Sequence, residues 1–316
     1  MKKLTFIVFL TLSACLPDKK SATPVLPPVT TETTATPISA PAAPAGHIAP
    51  KLSEIPEGPF GDSVRRGAAI FFDTPKNAAN FSGNSQSCSN CHMGGGRIAD
   101  SAPMWAAWGM YPAYRKKNNR VNTMEERLQG CFTFSQNAPA SPSGAAPPAG
   151  DAVLIDLQAY IFWLSQGVPI GKEMPGRGFP TPPKPAAGYS VERGKVVFEA
   201  QCALCHGADG LGLRTDQDHQ QFPPLWGPEA YNWGAGMHRV NTAAGFIKAN
   251  MPLGKADLSD QESWDVAAYI NSKPRPKDPR QVDSVEDNDK ENHDEDCLYG
   301  DEHEGKTLGV GVSRTP

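Results

Sequence analysis

Two five-residue segments carry most of the chemistry open to this chain. Cys88-Ser89-Asn90-Cys91-His92 and Cys202-Ala203-Leu204-Cys205-His206 share the pattern Cys-x-x-Cys-His. The chain has seven cysteines, and four lie in these motifs. Two Cys-x-x-Cys pairs could build a zinc site, but that leaves both histidines unexplained. One pair alone could serve as a redox dithiol. Covalent haem attachment uses every residue. Two thiols form thioethers with the macrocycle, and the adjacent neutral imidazole supplies a proximal iron ligand. Two haem c groups are therefore expected, on Cys88, Cys91, Cys202 and Cys205, with His92 and His206 as proximal ligands.

Each iron then needs a sixth ligand or an open site. Around the motifs the sequence repeats: Arg-Gly in an apolar helix, Cys-x-x-Cys-His, Pro-x-Trp, Arg-Val-Asn-Thr, and a closing helix. The last landmark recurs as Arg120-Val121-Asn122-Thr123 and Arg239-Val240-Asn241-Thr242, with each Asn read as a helix N-cap and Glu125 completing a capping box. In the second copy Met251 lies 12 residues after Arg239 and 45 after His206, just before a proline. It is the favoured ligand there. Met237 and His238 are rivals, and Lys248 is an alternative ligand if deprotonated. In the first copy Cys131 occupies nearly the same register, 11 residues after Arg120. A lone Cys is by default a small buried hydrophobe, and Met93, Met104, Met110 and Met124 are the competing ligands. The same block is cationic, with Arg115, Lys116, Lys117, Arg120 and Arg127.

The elements positioning these groups are helices. Val64, Ala68, Phe71 and Phe72 fall on one face, as do Ile155, Ala159, Phe162 and Trp163. Gly67 and Gly194 sit mid-helix, where Gly costs about 1 kcal/mol relative to Ala. A close crossing of the opening and closing helices would explain them. The expected fold is all-α, with two domains in tandem that resemble class I cytochrome c. The first spans 53–173 and the second 188–277, joined by a Pro-rich linker over 174–187.

Outside these domains the composition changes. Lys2 and Lys3, the apolar run Leu4–Leu12 and Leu12-Ser13-Ala14-Cys15 read as a lipoprotein export signal over 1–15, resembling the bacterial lipobox. Cys15 is then lipidated, on the periplasmic side of a bacterial membrane, with the outer membrane expected. Residues 16–52 are rich in Pro, Thr and Ala and read as a disordered tether containing His47. Residues 278–316 read as a disordered acidic tail, with His293, Cys297 and His303 incidental rather than metal-binding. His219 carries no signal. The net charge of −4 gives no reason to expect a nucleic-acid partner.

The stretch Trp105–Ala138, together with GRGFP, CALCHGADG and FIKANMPLG, resembles the dihaem thiosulfate dehydrogenases and tetrathionate reductases. The likeness covers roughly residues 55–275. It implies that two thiosulfate ions join through their sulfane sulfurs to give tetrathionate. Two electrons leave for an external acceptor such as another cytochrome c, and some members run the reaction backwards. It also implies a catalytic haem held by His92 and Cys131, an electron-transfer haem held by His206 and Met251, and a pocket containing Arg127 and Ser135. Arg115, Lys117 and Arg120 are further candidate substrate contacts. The chain departs from the family pattern at Ser135-Gln136-Asn137-Ala138 and in an insert over Pro139–Gly150. Two other functions compete: a non-catalytic dihaem electron carrier, and a dihaem peroxidase. The peroxidase needs an open iron site, and Cys131 argues against it.

Overall fold

The computed structural model describes residues 47–215, 220–293 and 296–314. The expected signal segment, Cys15, most of the tether and His219 lie outside them. In chain order the helices are α1 (Pro59–Phe72), α2 (Thr74–Asn77), α3 (Cys88–Cys91), α4 (Met93–Gly96), α5 (Met124–Phe134) and α6 (Ala152–Leu164) in the first half. The second half holds α7 (Val191–Gln201), α8 (Ala203–His206), α9 (Val240–Asn250), α10 (Asp260–Asn271) and α11 (Val285–Asn292). Three two-residue to three-residue antiparallel ladders interrupt them: β1 (Ala113–Arg115) with β2 (Arg120–Asn122), β3 (Leu213–Arg214) with β4 (Gln220–Phe222), and β5 (Glu302–His303) with β6 (Lys306–Thr307). The expected architecture of two helical domains in tandem is what forms.

The repeat in sequence is a repeat in space. Helix α1 crosses α6 at Gly67, and α7 crosses α10 at Gly194. A Cβ on Gly67 would lie 2.0 Å from the Asp156 carbonyl oxygen, and one on Gly194 would lie 1.9 Å from that of Asp265. Only glycine permits so close an approach. The preceding arginine clamps each crossing. Arg66 donates to both carboxylate oxygens of Asp156 at 2.8 Å, and Arg193 to those of Asp265 at 2.7 and 2.8 Å. Such forked pairs add direction as well as energy.

Side chains around these crossings form two cores. The first contains Val64, Phe71, Trp105, Phe132, Leu157 and Ile161. The second contains Phe198, Val240, Ala244, Trp264 and Val266. The expected stripe on α6 is corrected in part. Ile155 and Phe162 are exposed, and the buried set is Leu154, Leu157, Tyr160, Ile161, Trp163 and Leu164. Apolar residues surround most of α6, so periodicity alone could not choose a face. Phe72, the last residue of α1, is exposed as well.

Helix starts differ from expectation. Thr123, not Asn122, caps α5, and Glu126 rather than Glu125 closes the capping box. Glu125 instead accepts from the Gly150 N–H at 2.7 Å, which ties the insert to α5. In the second copy Arg239 is the N-cap, and Asn241 lies inside α9.

The linker is extended and built into the body. Asp100 and Ala102 donate their N–H groups to the Gly176 and Gly178 carbonyls at 2.7 Å, and the Trp264 indole donates to the Pro182 carbonyl. The tether ends earlier than expected. His47 lies 2.8 Å from the Leu164 carbonyl and packs beside Trp105.

The expectation of a disordered C-terminal tail is overturned. Ser284 caps α11, and Tyr299 and Leu308 bury against Trp233 of the second domain. Mean composition concealed this because the few apolar residues are well placed. The acidic residues are also paired locally, as in Lys290–Glu286 and Arg280–Asp278.

Placing a methyl group at either crossing must push two helices apart. Gly67→Ala and Gly194→Ala should each cost about 2–3 kcal/mol, within the usual range for overpacking. Gly130→Ala in α5, where the nearest atom to a new Cβ is 4.0 Å away, should be neutral or stabilising. Thermal unfolding followed by circular dichroism checks all three. Equal midpoints for the crossing variants and the wild type would contradict this account.

Candidate functional site

The first Cys-x-x-Cys-His motif is one helical turn, α3, capped by Ser87, whose N–H donates to the Asn90 side chain at 2.7 Å. His92 follows the turn. Its Nδ1 lies 2.7 Å from the Ala102 carbonyl. That carbonyl can only accept, so Nδ1 carries the proton and Nε2 presents a lone pair. Burial pulls this imidazole down to about 4, with Arg127 adding to the effect and the Ala102 carbonyl opposing it. It is therefore neutral at pH 7, as an iron ligand must be. The second motif repeats the device. His206 Nδ1 lies 2.9 Å from the Pro223 carbonyl, and burial lowers its pKa too.

Cys88, Cys91 and His92 border a cavity of about 370 Å³. It is also lined by one stripe of α5, Met124, Arg127, Leu128, Cys131 and Phe132, with Ser135 at the helix C-cap. Spacings of three and four residues put these on a single helix face. Cys131 lies within electrostatic reach of both motif cysteines. Burial, with the Cys131 sulfur adding to it, pushes Cys88 up to about 12 and Cys91 up to about 11. Arg127 is coupled most strongly to Cys131, which raises its pKa against the opposing effect of burial, and Tyr111 hydrogen-bonds to it. Arg115, placed by the β1–β2 hairpin, also lines the cavity.

Among the rival methionines, Met93 packs into the second core instead. Met104, which follows Pro103 and packs against Gly96, lines the cavity too. Met110 and Met124 remain on the cavity wall.

Two expected substrate contacts lie elsewhere. Arg120 is exposed and paired with Glu126 at 2.8 Å, outside the cavity lining. Lys117 sits at the hairpin tip. Its stem is exposed, but its ammonium donates to the Gly234 carbonyl and lies 3.6 Å from the Phe134 ring centroid. Burial, Arg280 and Arg127 bring it down to about 7. It lines a different, basic cavity. In both cases a basic run in sequence says nothing about direction. The side chain that motif reading missed is Arg177 of GRGFP, which the linker brings to the first cavity.

A second cavity, about 220 Å³, is bordered by Cys202, Cys205, His206 and Met251. Met251 ends α9 and faces in. Lys248 does not, since its ammonium is held by the Leu258 carbonyl at 2.6 Å and Asp260 at 3.2 Å. His238 lines neither of these two cavities, whereas Met237, Tyr231, Gln86 and Cys91 line both. The two sites therefore share a wall. Polar contacts seal it: Gln86 donates to the Pro224 carbonyl at 2.8 Å, and Asn84 bridges the Ser135 and Ala230 carbonyls at 2.8 and 3.1 Å.

These residues fit covalent haem. Each cavity has apolar walls, two cysteines on one helical turn, and an imidazole whose outer nitrogen is tied to a carbonyl. Each also has a sulfur-bearing residue on another element. The chain carries two covalently bound haem c groups, as both of its family matches imply.

Residues 75–170 match the family model described as SoxA/TsdA, cytochrome c domain, and residues 190–270 match cytochrome c oxidase, cbb3-type, subunit III. The thiosulfate dehydrogenase of Stutzerimonas stutzeri is 50% identical over 268 residues, covering 83% of this chain and 85% of that protein. That of Thiomonas intermedia is 49% identical over 262 residues, covering 82% and 81%. Among solved structures, the as-isolated thiosulfate dehydrogenase TsdBA from Marichromatium purpuratum superposes with a TM-score of 0.83 at 51% identity. That match covers 86% of this chain and 59% of the longer TsdBA chain. At such identity and coverage, with both motifs and the Cys131 helix in place, the chain belongs to the thiosulfate dehydrogenase family of dihaem cytochromes c.

Proposed function

We propose that this chain oxidises thiosulfate, joining two ions as tetrathionate: 2 S₂O₃²⁻ → S₄O₆²⁻ + 2 e⁻. The electrons pass to an external cytochrome acceptor. The observation that carries this reading is the α5 stripe, which faces Cys131, Arg127 and Ser135 toward the Cys88-Cys91-His92 turn in one cavity.

Two dianions about 5 Å apart repel by roughly 13 kcal/mol at an effective dielectric of 20. The site must therefore be cationic. Arg127, Arg115 and Arg177 supply that charge. A guanidinium fork matches sulfonate-type oxygens, and the Tyr111 hydroxyl orients that of Arg127. The Ser135 hydroxyl offers a further hydrogen bond. His92 and Cys131 would hold the iron in the first site, and His206 and Met251 in the second. Bound haem supplies one-electron redox chemistry. In the first site a thiolate would lower the potential relative to a thioether, because it donates more charge. The shared wall of Gln86, Cys91, Tyr231 and Met237 keeps the path between the sites short. By microscopic reversibility the same cavity serves tetrathionate reduction. We further infer lipid attachment at Cys15 and a periplasmic address at the outer membrane, supported by the Leu12–Cys15 sequence.

The purified dihaem protein should reduce ferricyanide with thiosulfate as sole donor, whereas a pure carrier would not. Cys131→Gly should abolish turnover and alter the spectrum of one haem only. Arg127→Gln removes a charge-assisted hydrogen bond of about 1.5–3 kcal/mol, so kcat/KM should fall roughly 10-fold to 150-fold. Undiminished turnover in Cys131→Gly would overturn the assignment.

A further inference from the structure

The C-terminal segment returns over the second domain and brings His293 and Cys297 to His238. Among the described residues these three form the group whose potential ligand atoms all lie within 4.8 Å of one another. They come from three places in the fold: the turn before α9, the end of α11, and the loop between α11 and β5.

Hydrogen bonding fixes which atoms are available. His293 Nε2 lies 3.0 Å from Asp278 Oδ2. Asp278 also takes a forked ion pair from Arg280 and is an acceptor only. His293 Nε2 therefore carries the proton and Nδ1 is a lone pair. His238 Nδ1 is held by the Ala235 carbonyl, so its Nε2 is likewise a lone pair. These two bare nitrogens face each other at 3.1 Å. Cys297 Sγ stands 3.6 Å from His293 Nδ1 and accepts the Tyr299 N–H at 3.4 Å. Three acceptor atoms thus converge in a buried place, and the only proton among them is that of the thiol. It can satisfy one nitrogen and leaves the other opposed. Protonating an imidazole instead would place a cation in a buried site already occupied by Arg280.

We propose that His238, His293 and Cys297 bind a zinc-type divalent cation. The chemistry and the spacing agree. An N₂S donor set is borderline-soft, which suits zinc. With bonds of about 2.05 Å to nitrogen and about 2.3 Å to sulfur, a tetrahedral ion needs N···N near 3.3 Å and N···S near 3.6 Å. The two nitrogens stand at 3.1 Å and His293 to Cys297 at 3.6 Å, while the His238–Cys297 pair lies within 4.8 Å and closes on the ion when it binds. The Asp278–His293 contact is the carboxylate–histidine support that metal-bound imidazoles use, and Tyr299 stacks on the His293 ring at a centroid distance of 3.7 Å. Binding releases the thiol proton to solvent, and no electrons move. The fourth position opens toward the basic cavity that His238 and His293 help to line, where water or an anion completes the shell. The ion would staple the C-terminal segment to the haem-bearing domain.

The test uses the full dihaem protein, dialysed against a chelator, equilibrated with Zn²⁺ and desalted. Elemental analysis should give about one zinc for every two haem irons, and Cys297→Ser and His293→Gln should lower retention at least about 10-fold. Because either variant could misfold, the wild type provides a second arm. Zn²⁺ should slow alkylation of Cys297 by iodoacetamide at least about 10-fold, read by peptide mass spectrometry, and chelator should restore the rate. Zinc below about one-tenth of that ratio, or Cys297 alkylation indifferent to Zn²⁺, would overturn the proposal.

Discussion

Each domain is set by a point where two helix backbones touch. At Gly67 on Asp156, and at Gly194 on Asp265, no side chain separates the helices. The crossing angle and distance are then fixed, with Arg66 and Arg193 locking the same two aspartates from outside. Everything else hangs from this frame. In each half, the loops from the opening helix to the closing one must run around a volume that the protein's own side chains do not fill. A domain of this size buries little surface of its own, and the covalently held macrocycles are the natural completion of both cores.

That frame also brings the two halves together. The first motif faces the second domain through Gln86 and Met93, while Tyr231 and Met237 reach back from the other side. Asn232 donates to the Thr133 carbonyl at 2.9 Å and to the Asn137 side chain at 3.0 Å, so the loop after α5 is fastened to the second domain. Two redox sites that share a wall need no moving part to exchange electrons. The cationic cavity and the electron exit can therefore belong to different domains.

Much of this was legible in the sequence, for physical reasons that differ by residue. The motifs were readable because thioether chemistry demands one spacing. The crossings were readable because a mid-helix glycine is costly unless something needs the room. Cys131 was readable only through the repeat and the family likeness, since a single cysteine has no signature of its own. Directions were not legible. Lys117 and Arg120 belong to the same basic run as Arg115, yet only Arg115 reaches the first cavity; Lys117 lines only the basic cavity and Arg120 pairs with Glu126. Arg177 was hidden in a linker whose partners lie far away in sequence. The C-terminal segment was misjudged because its order rests on a few contacts, Tyr299 and Leu308 on Trp233 and the Asp278–His293 pair, that an average over acidic residues erases.

The central proposal is that Cys131 and His92, which line one arginine-bearing cavity, would together hold the iron of the first haem. Electron paramagnetic resonance of the oxidised dihaem protein tests this most directly. Two low-spin signals are expected, one typical of a thiolate ligand, with that signal alone lost in Cys131→Ala. Two signals that both survive the substitution unchanged would contradict it.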